Sequence, residues 1–353
     1  MPRRADPLSA PETIGDLLLR LLLEGAAAPL SVSPHFWDSL VHVACGNAVL
    51  LRTAASLERL GIAGPARFAA GVAAERQRAQ ALVAAVQGVS RVCSEYRIAH
   101  LFPKAFQHYP DMGRDLDLLV LARPGEFTPV LGALRAEIHP GGFSDWIAAT
   151  VRYVLPGCPG PLDVQYGTLG LVGEHAGYAA QLVANRAQKV IEDATVVVPA
   201  VEDQLLLQGV QRIFGRLSLR LADITWAVGV LGGRGGRGRL DWDYVVSTAQ
   251  RIGATHGLGC FLSYVEQIHG RLFSGALVPN GVRHHLPLRG WGTIEFRDGR
   301  YRFPALRVNV RLSVGALEAK LARRDWAGAA RLSLVPLVGV ATTLGRLSHA
   351  RAR

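Results

Sequence analysis

The chain has 353 residues, 49% hydrophobic and 19% charged, which excludes a disordered polymer and leaves material for two or three packed units. A net charge of +11 and a pI near 10.1 favour polyanions such as nucleotides, nucleic acid or acidic membrane surfaces as partners. Lys104, Lys189 and Lys320 are the only lysines, so the excess is arginine. Genome composition produces that skew as readily as selection for nucleic acid. With no recognised nucleic-acid module, a nucleic-acid partner stays open without being favoured.

Residues 1–97 read as an N-terminal helical region. Ser9 with Glu12 matches a capping box and Pro11 suits a first turn. The apolar run Ile14 to Leu23 is interrupted by Asp16 and Arg20, too short and too broken for a membrane span; a core helix is expected over an amphipathic surface anchor. Ser33-Pro34 opens a second helix through Leu60, and Gly61 to Pro65 ends it. A long helix follows from about Ala66 to Tyr96, with Phe68, Val72, Leu82, Val83, Val86, Val89 and Cys93 at three- and four-residue steps. Cys45, Cys93, Cys158 and Cys260 lack Cys-x-x-Cys spacing and no secretory signal precedes them. Free buried thiols and a cytoplasmic location are expected.

Residues 98–200 read as an α/β core. Ile98 to Phe102 is a strand, Pro110 and Gly113 mark a turn, and Asp115-Leu116-Asp117-Leu118-Leu119-Val120 is a second strand. Side chains two apart on a strand share a face, so Asp115 and Asp117 project together, away from Leu116 and Leu118. Two carboxylates in one small volume repel unless a cation neutralises them, and oxygen ligands are what Mg2+ takes. Gly125 to Ala136 reads as a helix. Thr150 to Leu155 and Leu162 to Tyr166 read as antiparallel strands around the turn Gly157 to Pro161, with Asp163 able to reach the first pair. Thr195 to Val198 is a further short strand.

Lys104 after an apolar strand, Tyr109, Arg114, and then Asp115-Leu116-Asp117-Leu118-Leu119-Val120 resemble the uncharacterised nucleotidyltransferase-like family within the polymerase-beta-type nucleotidyltransferase superfamily. The resemblance implies an α+β fold, a small mixed β-sheet flanked by N- and C-terminal helical regions. It implies that Asp115 and Asp117 hold Mg2+ and the triphosphate, and that Asp163 completes a site for two Mg2+ ions and activates an acceptor. Lys104 and Arg114 are then candidates to neutralise the phosphates. Ala105 stands where the family has glycine, and Gln165 stands where a histidine is frequent.

Residues 201–353 read as a C-terminal helical region. Glu202 to Gly215 and Leu217 to Leu231 are apolar-periodic, and Val201 to Leu205 with Leu221 to Ile224 further resemble the family. Gly232 to Gly238 lacks the Gly-Lys-Ser/Thr ending of a phosphate loop and reads as a linker. Asp241-Trp242-Asp243 starts another helix. Asp-Gly between the alternating residues of 293–303 predicts a hairpin, and the basic terminal segment reads as helical. His284-His285 lacks accompanying ligands at zinc spacing, and no Gly-x-Ser-x-Gly elbow occurs.

The function expected from this pattern is a Mg-dependent transfer of a nucleoside monophosphate from an NTP to a hydroxyl-bearing acceptor, with release of pyrophosphate. A small alcohol, a sugar, an antibiotic-like compound, a peptide and a tRNA end all satisfy it as acceptor. Ala105 and Gln165 leave open a catalytically inactive nucleotide-binding protein, and the helical flanks leave open a protein or RNA interaction role.

Overall fold

The structure is a computed structural model that describes residues 13–25, 33–140, 150–170, 173–214, 216, 218–233 and 240–334. The Ser9 to Glu12 capping box lies outside them. The first described helix, α1 (Ile14–Leu23), has its own box: Thr13 Oγ1 accepts from the Asp16 amide and Asp16 Oδ2 from the Thr13 amide, each at 3.1 Å. Both groups would otherwise be unmatched at a helix start.

The single helix expected from Pro34 to Leu60 is two, α2 (Pro34–Gly46) and α3 (Leu50–Arg59). The break falls at Asn47, fully buried, whose amide nitrogen donates to Val43 O and Gly299 O at 2.7 Å each. Its Oδ1 accepts from the Leu221 amide at 3.1 Å. These long-range bonds, with Ala48 at φ +53°, outweigh continuation of the helix. Helix α4 (Ala66–Glu95) buries the expected stripe from Phe68 to Cys93. Arg97 at φ +58° turns the chain into β1 (His100–Leu101).

The core sheet is mixed, with strand order β1-β2-β5-β4-β3. Its members are β1, β2 (Leu116–Val120), β3 (Glu137–Ile138), β4 (Thr150–Val154) and β5 (Leu162–Tyr166). Only β2 and β5 run parallel, because α5 (Pro124–Ala133) and the β3–β4 pair intervene and supply the crossover that parallel neighbours require. Leu116, Leu118, Leu162 and Val164 are fully buried on the face opposite the aspartates. With helical flanks on both sides, the fold is α+β.

Helix α6 (Ala176–Ala184) precedes a hairpin of β6 (Ala187–Ile191) and β7 (Ala194–Val198). Phe102 N donates to Val197 O at 3.0 Å, tying the segment after β1 to that hairpin. Helix α7 (Val201–Leu207) passes into a π-helical turn over Gln208–Arg212. Where sequence periodicity predicts helix from Leu217, Ser218–Leu219 forms β8 instead, and α8 spans Leu221–Leu231. The reason is tertiary: Leu219 pairs with Tyr301 on β10 (Arg300–Arg302), which also pairs with β9 (Glu295–Arg297). The hairpin turns at Asp298 (φ +48°) and Gly299 (φ +74°), the left-handed pair of a type I′ turn.

Helix α9 (Trp242–Ile252) is capped by Asp241, which accepts from the Tyr244 amide at 2.9 Å. It is followed by α10 (Thr255–Leu272), the short α11 (Asn280–Arg283), α12 (Ala305–Ala322) and α13 (Trp326–Leu332). The core of the expected Gly-rich linker (234–239) and the basic terminal segment from 335 lie outside the described residues. No described helix is long and apolar enough to cross a membrane. All four cysteines are free, but burial, expected for each, holds only for Cys93 and Cys260; Cys158 is half-buried and Cys45, near the end of α2, is exposed.

Candidate functional site

The parallel pairing of β2 with β5 puts Asp117 directly opposite Asp163 as Cα partners. Directly opposed residues present their side chains on the same face, so these carboxylates share one side of the sheet. Asp115 stands in a bend just before β2, exposed, and its charge reaches Asp163. Gln165 follows on the same face of β5; it is buried, and its Oε1 has no partner among the described residues. At Gly160 a Cβ would collide with the carbonyl of Arg114, so glycine lets the turn before β5 lie against the chain entering β2.

Two cations hold the carboxylates. Lys104 Nζ lies 3.1 Å from Asp117 Oδ1, so the lysine reaches the site predicted for it and does not end in solvent. Arg152 on β4 is the Cα partner of Asp163 on the far side of β5, and its Nε lies 2.9 Å from Asp163 Oδ1. Burial pushes the Asp163 carboxyl up, Arg152 pulls it back, and the neighbouring charges of Asp117 and Asp115 raise it again. The upward direction is that of a carboxylate prepared to take a proton.

The remaining sequence candidates divide. Arg114 is exposed, with no ion pair among the described residues; it does not pair with Asp111, which is buried and bound by Arg52 Nε at 2.8 Å and the Leu51 amide at 2.7 Å. Tyr109 donates to Glu192 Oε1 at 2.7 Å, on the turn of the β6–β7 hairpin. Two basic residues escaped sequence reasoning. The strand that carries Arg152 was within reach of it, although counting outward from the predicted turn Gly157 to Pro161 sets Leu155 beside Asp163, and the observed register puts Arg152 there instead. Arg212 was not. It comes from the π turn, 95 residues beyond Asp117 in sequence, and its Nε lies 3.0 Å from the fully buried Asp223. Burial lowers the Arg212 pKa to about 10, while the charges of Asp223 and Asp117 support its protonated form. Arg212 is therefore a positive group within electrostatic reach of the site.

Three aspartates supply the hard oxygen donors that Mg2+ takes, and the unpartnered Gln165 Oε1 adds an acceptor beside them. The donor chemistry fits the ion. The side chains are not gathered on one point, however: no three His, Cys, Asp or Glu side chains converge as a metal cluster among the described residues. Lys104 and Arg152 supply the positive charge instead. No protein-family model, curated protein or solved structure matches the chain.

One consequence is measurable without knowing a substrate. Because the raised pKa makes ionised Asp163 a cost to the fold at neutral pH, Asp163→Asn should leave the melting temperature unchanged or raise it by about 1–3 °C. A calorimetric scan that shows a clear fall instead would mean that the Arg152 pair outweighs the desolvation of Asp163.

Proposed function

We propose that the chain is a nucleotidyltransferase that moves a nucleoside monophosphate from an NTP to a hydroxyl-bearing acceptor and releases pyrophosphate. The observation that carries this reading is the Asp117–Asp163 pair, set opposite each other on adjacent parallel strands. Asp115 stands just before β2, Lys104 and Arg152 hold the pair, and the charges of Arg212 and Asp117 act on each other. Few structural roles call for carboxylates at facing positions of a buried parallel ladder, since each must be desolvated.

In this mechanism Asp115, Asp117 and Asp163 would hold Mg2+, which when bound neutralises phosphate oxygens and the charge that develops in transfer. Lys104 turns its ammonium from Asp117 to the phosphates, and exposed Arg114 adds charge where the triphosphate tail would enter. Asp163 accepts the proton of the attacking hydroxyl. The oxygen–hydrogen bond of the acceptor breaks, a bond to the α-phosphorus forms, and the electron pair of the broken phosphoanhydride leaves with pyrophosphate.

A second reading draws on the same ion pairs. With Lys104 on Asp117 and Arg152 on Asp163, the carboxylates are already neutralised, as in a protein that binds nucleotide without turning it over. Calorimetry with ATP, GTP, CTP and UTP, with and without Mg2+, separates the possibilities when wild type is run beside Asp115→Ala/Asp117→Ala. Mg-dependent binding that the double variant loses is the expected result. Folded wild type that binds no triphosphate would sink both readings, whereas binding without pyrophosphate release in the presence of a broad acceptor set would favour the second.

A further inference from the structure

None of the candidate site residues lines the cavity of about 260 Å³ bounded by the segment entering α6, the end of α9, and α12 with α13. Four cations face it: Arg251, Lys320, Arg323 and Arg331. Lys320 is 5% exposed; its ammonium donates to Glu174 O at 2.6 Å and to Asp325 Oδ2 at 2.9 Å. The three guanidiniums are held by neutral oxygens. Arg251 donates to Gln181 Oε1, Arg323 to Gln250 O, and Arg331 to Gly173 O at 2.7 Å. No salt bridge pairs any of the three among the described residues.

Four positive charges against the two carboxylates in the lining, Glu174 and Asp325, leave an excess of two. His175 beside them is buried, and burial lowers its pKa to about 4, so at neutral pH it adds no charge. The backbone lies close against the lining charges: at Gly328 a Cβ would collide with Asp325 Oδ2 and lie 2.6 Å from Lys320 Nζ. Gly173, at φ +70°, would place a Cβ 3.4 Å from Arg331 Nη1 and 3.3 Å from Thr168 Cβ. The Oγ1 of Thr168 is itself buried and without a partner among the described residues. A guanidinium has five donors and each of these uses one or two, so donors remain for a ligand. They come from α9, from the residue that ends α12 and from α13. Donors carried by three separate elements suit a tetrahedral anion, whereas one guanidinium fork meets a planar carboxylate.

We propose that this cavity is a binding site for the phosphoryl group of a small molecule, with Arg251, Arg323 and Arg331 as its ligands and Lys320 as the buried charge behind them. The site is separate from the nucleotidyltransferase reading and stands or falls without it.

The test is calorimetry on the full chain in low-chloride buffer without divalent cations. The probes are inorganic phosphate, ribose 5-phosphate and, as a carboxylate control, citrate. Wild type should bind phosphate saturably at one site. Arg323→Ala/Arg331→Ala, which changes two exposed side chains and should melt within a few degrees of wild type, should weaken that binding at least tenfold. Tighter binding of ribose 5-phosphate than of phosphate would identify a phosphorylated metabolite as the ligand, and the reverse would identify the free ion. The proposal is overturned if no phosphate compound binds saturably, if the double variant binds as wild type does, or if citrate binds more tightly than either phosphate compound.

Discussion

Asp223→Asn should cost about 3–5 kcal/mol of stability, the scale for removing one partner from a buried ion pair. Asp223 is fully buried and holds three groups: Arg212 Nε at 3.0 Å, His108 Nε2 at 3.0 Å and Arg220 Nη2 at 3.4 Å. Burial alone would raise its pKa, but Arg212, Arg220 and His108 together bring it well below the usual carboxylate range. The asparagine keeps the shape and removes the charge, leaving the guanidinium of Arg212 inside the protein without a counter-ion. The exposed pair Arg67–Asp38 provides the contrast, at 82% and 52% side-chain exposure; Arg67→Ala should change stability by no more than about 1 kcal/mol. Urea unfolding of both variants decides it. A loss below about 1 kcal/mol for Asp223→Asn would mean that the network adds little and that the apolar core alone joins these elements. The location of the loss matters for function, because His108 lies on the segment that carries Lys104 and Arg212 lies within reach of Asp117. A destabilised Asp223 network should therefore weaken nucleotide binding even though it touches no substrate.

The second large effect is acid sensitivity. His108 and His175 are both buried, and burial lowers each pKa to about 4; in the unfolded chain a histidine titrates near 6.5. Between those values the unfolded chain binds one more proton at each position than the fold does. Stability rises with pH wherever the unfolded state binds more protons, so both contributions are intact above about pH 6.5 and are lost as the pH falls towards 4. Each is worth roughly 3 kcal/mol over the full window. The Asp223 contribution has a different range: its folded pKa is depressed, so it persists until the pH drops below the carboxylate range. Asp163 works in the opposite sense, because its raised pKa lets the fold take up a proton first. Urea midpoints at pH 7.5, 5.5 and 4.5 should fall steeply over the lower interval. His175→Gln should remove about half of that slope. A flat profile would show that the histidines take up protons in the fold at the same pH as in the unfolded chain. The neutral state also settles the hydrogen bond at His108: Nε2 carries the proton and donates to Asp223, while Nδ1 is buried without a partner.

Local rules account for the elements that were legible in the sequence. The stripe from Phe68 to Cys93 specified α4 because burial along one face repeats every three or four residues. Asp298-Gly299 specified the hairpin because those residues tolerate the two left-handed conformations its turn needs. Leu116 to Val120 and Leu162 to Tyr166 specified strands, and alternation within them set Asp117 and Asp163 away from the buried leucines. The misses have a common cause. Asn47 broke the expected helix through bonds to Gly299 and Leu221, and Ser218–Leu219 became a strand because β10 lay beside it. In both, a distant partner outweighed local propensity, and no window of neighbouring residues contains that partner.

The same division runs through the candidate site. The sequence by itself determined the α+β class, the carboxylate alternation and the basic excess, since composition and periodicity act along the chain. Only the tertiary structure decided that Asp163 would stand opposite Asp117, that Lys104 and Arg152 would hold those carboxylates, and that Arg212 would approach from the helical half. It also decided that Arg114 would stay free of Asp111, which Arg52 binds. Register and pairing depend on which strands meet, and that depends on burying the whole apolar core at once, a sum to which no single stretch of sequence holds all the terms.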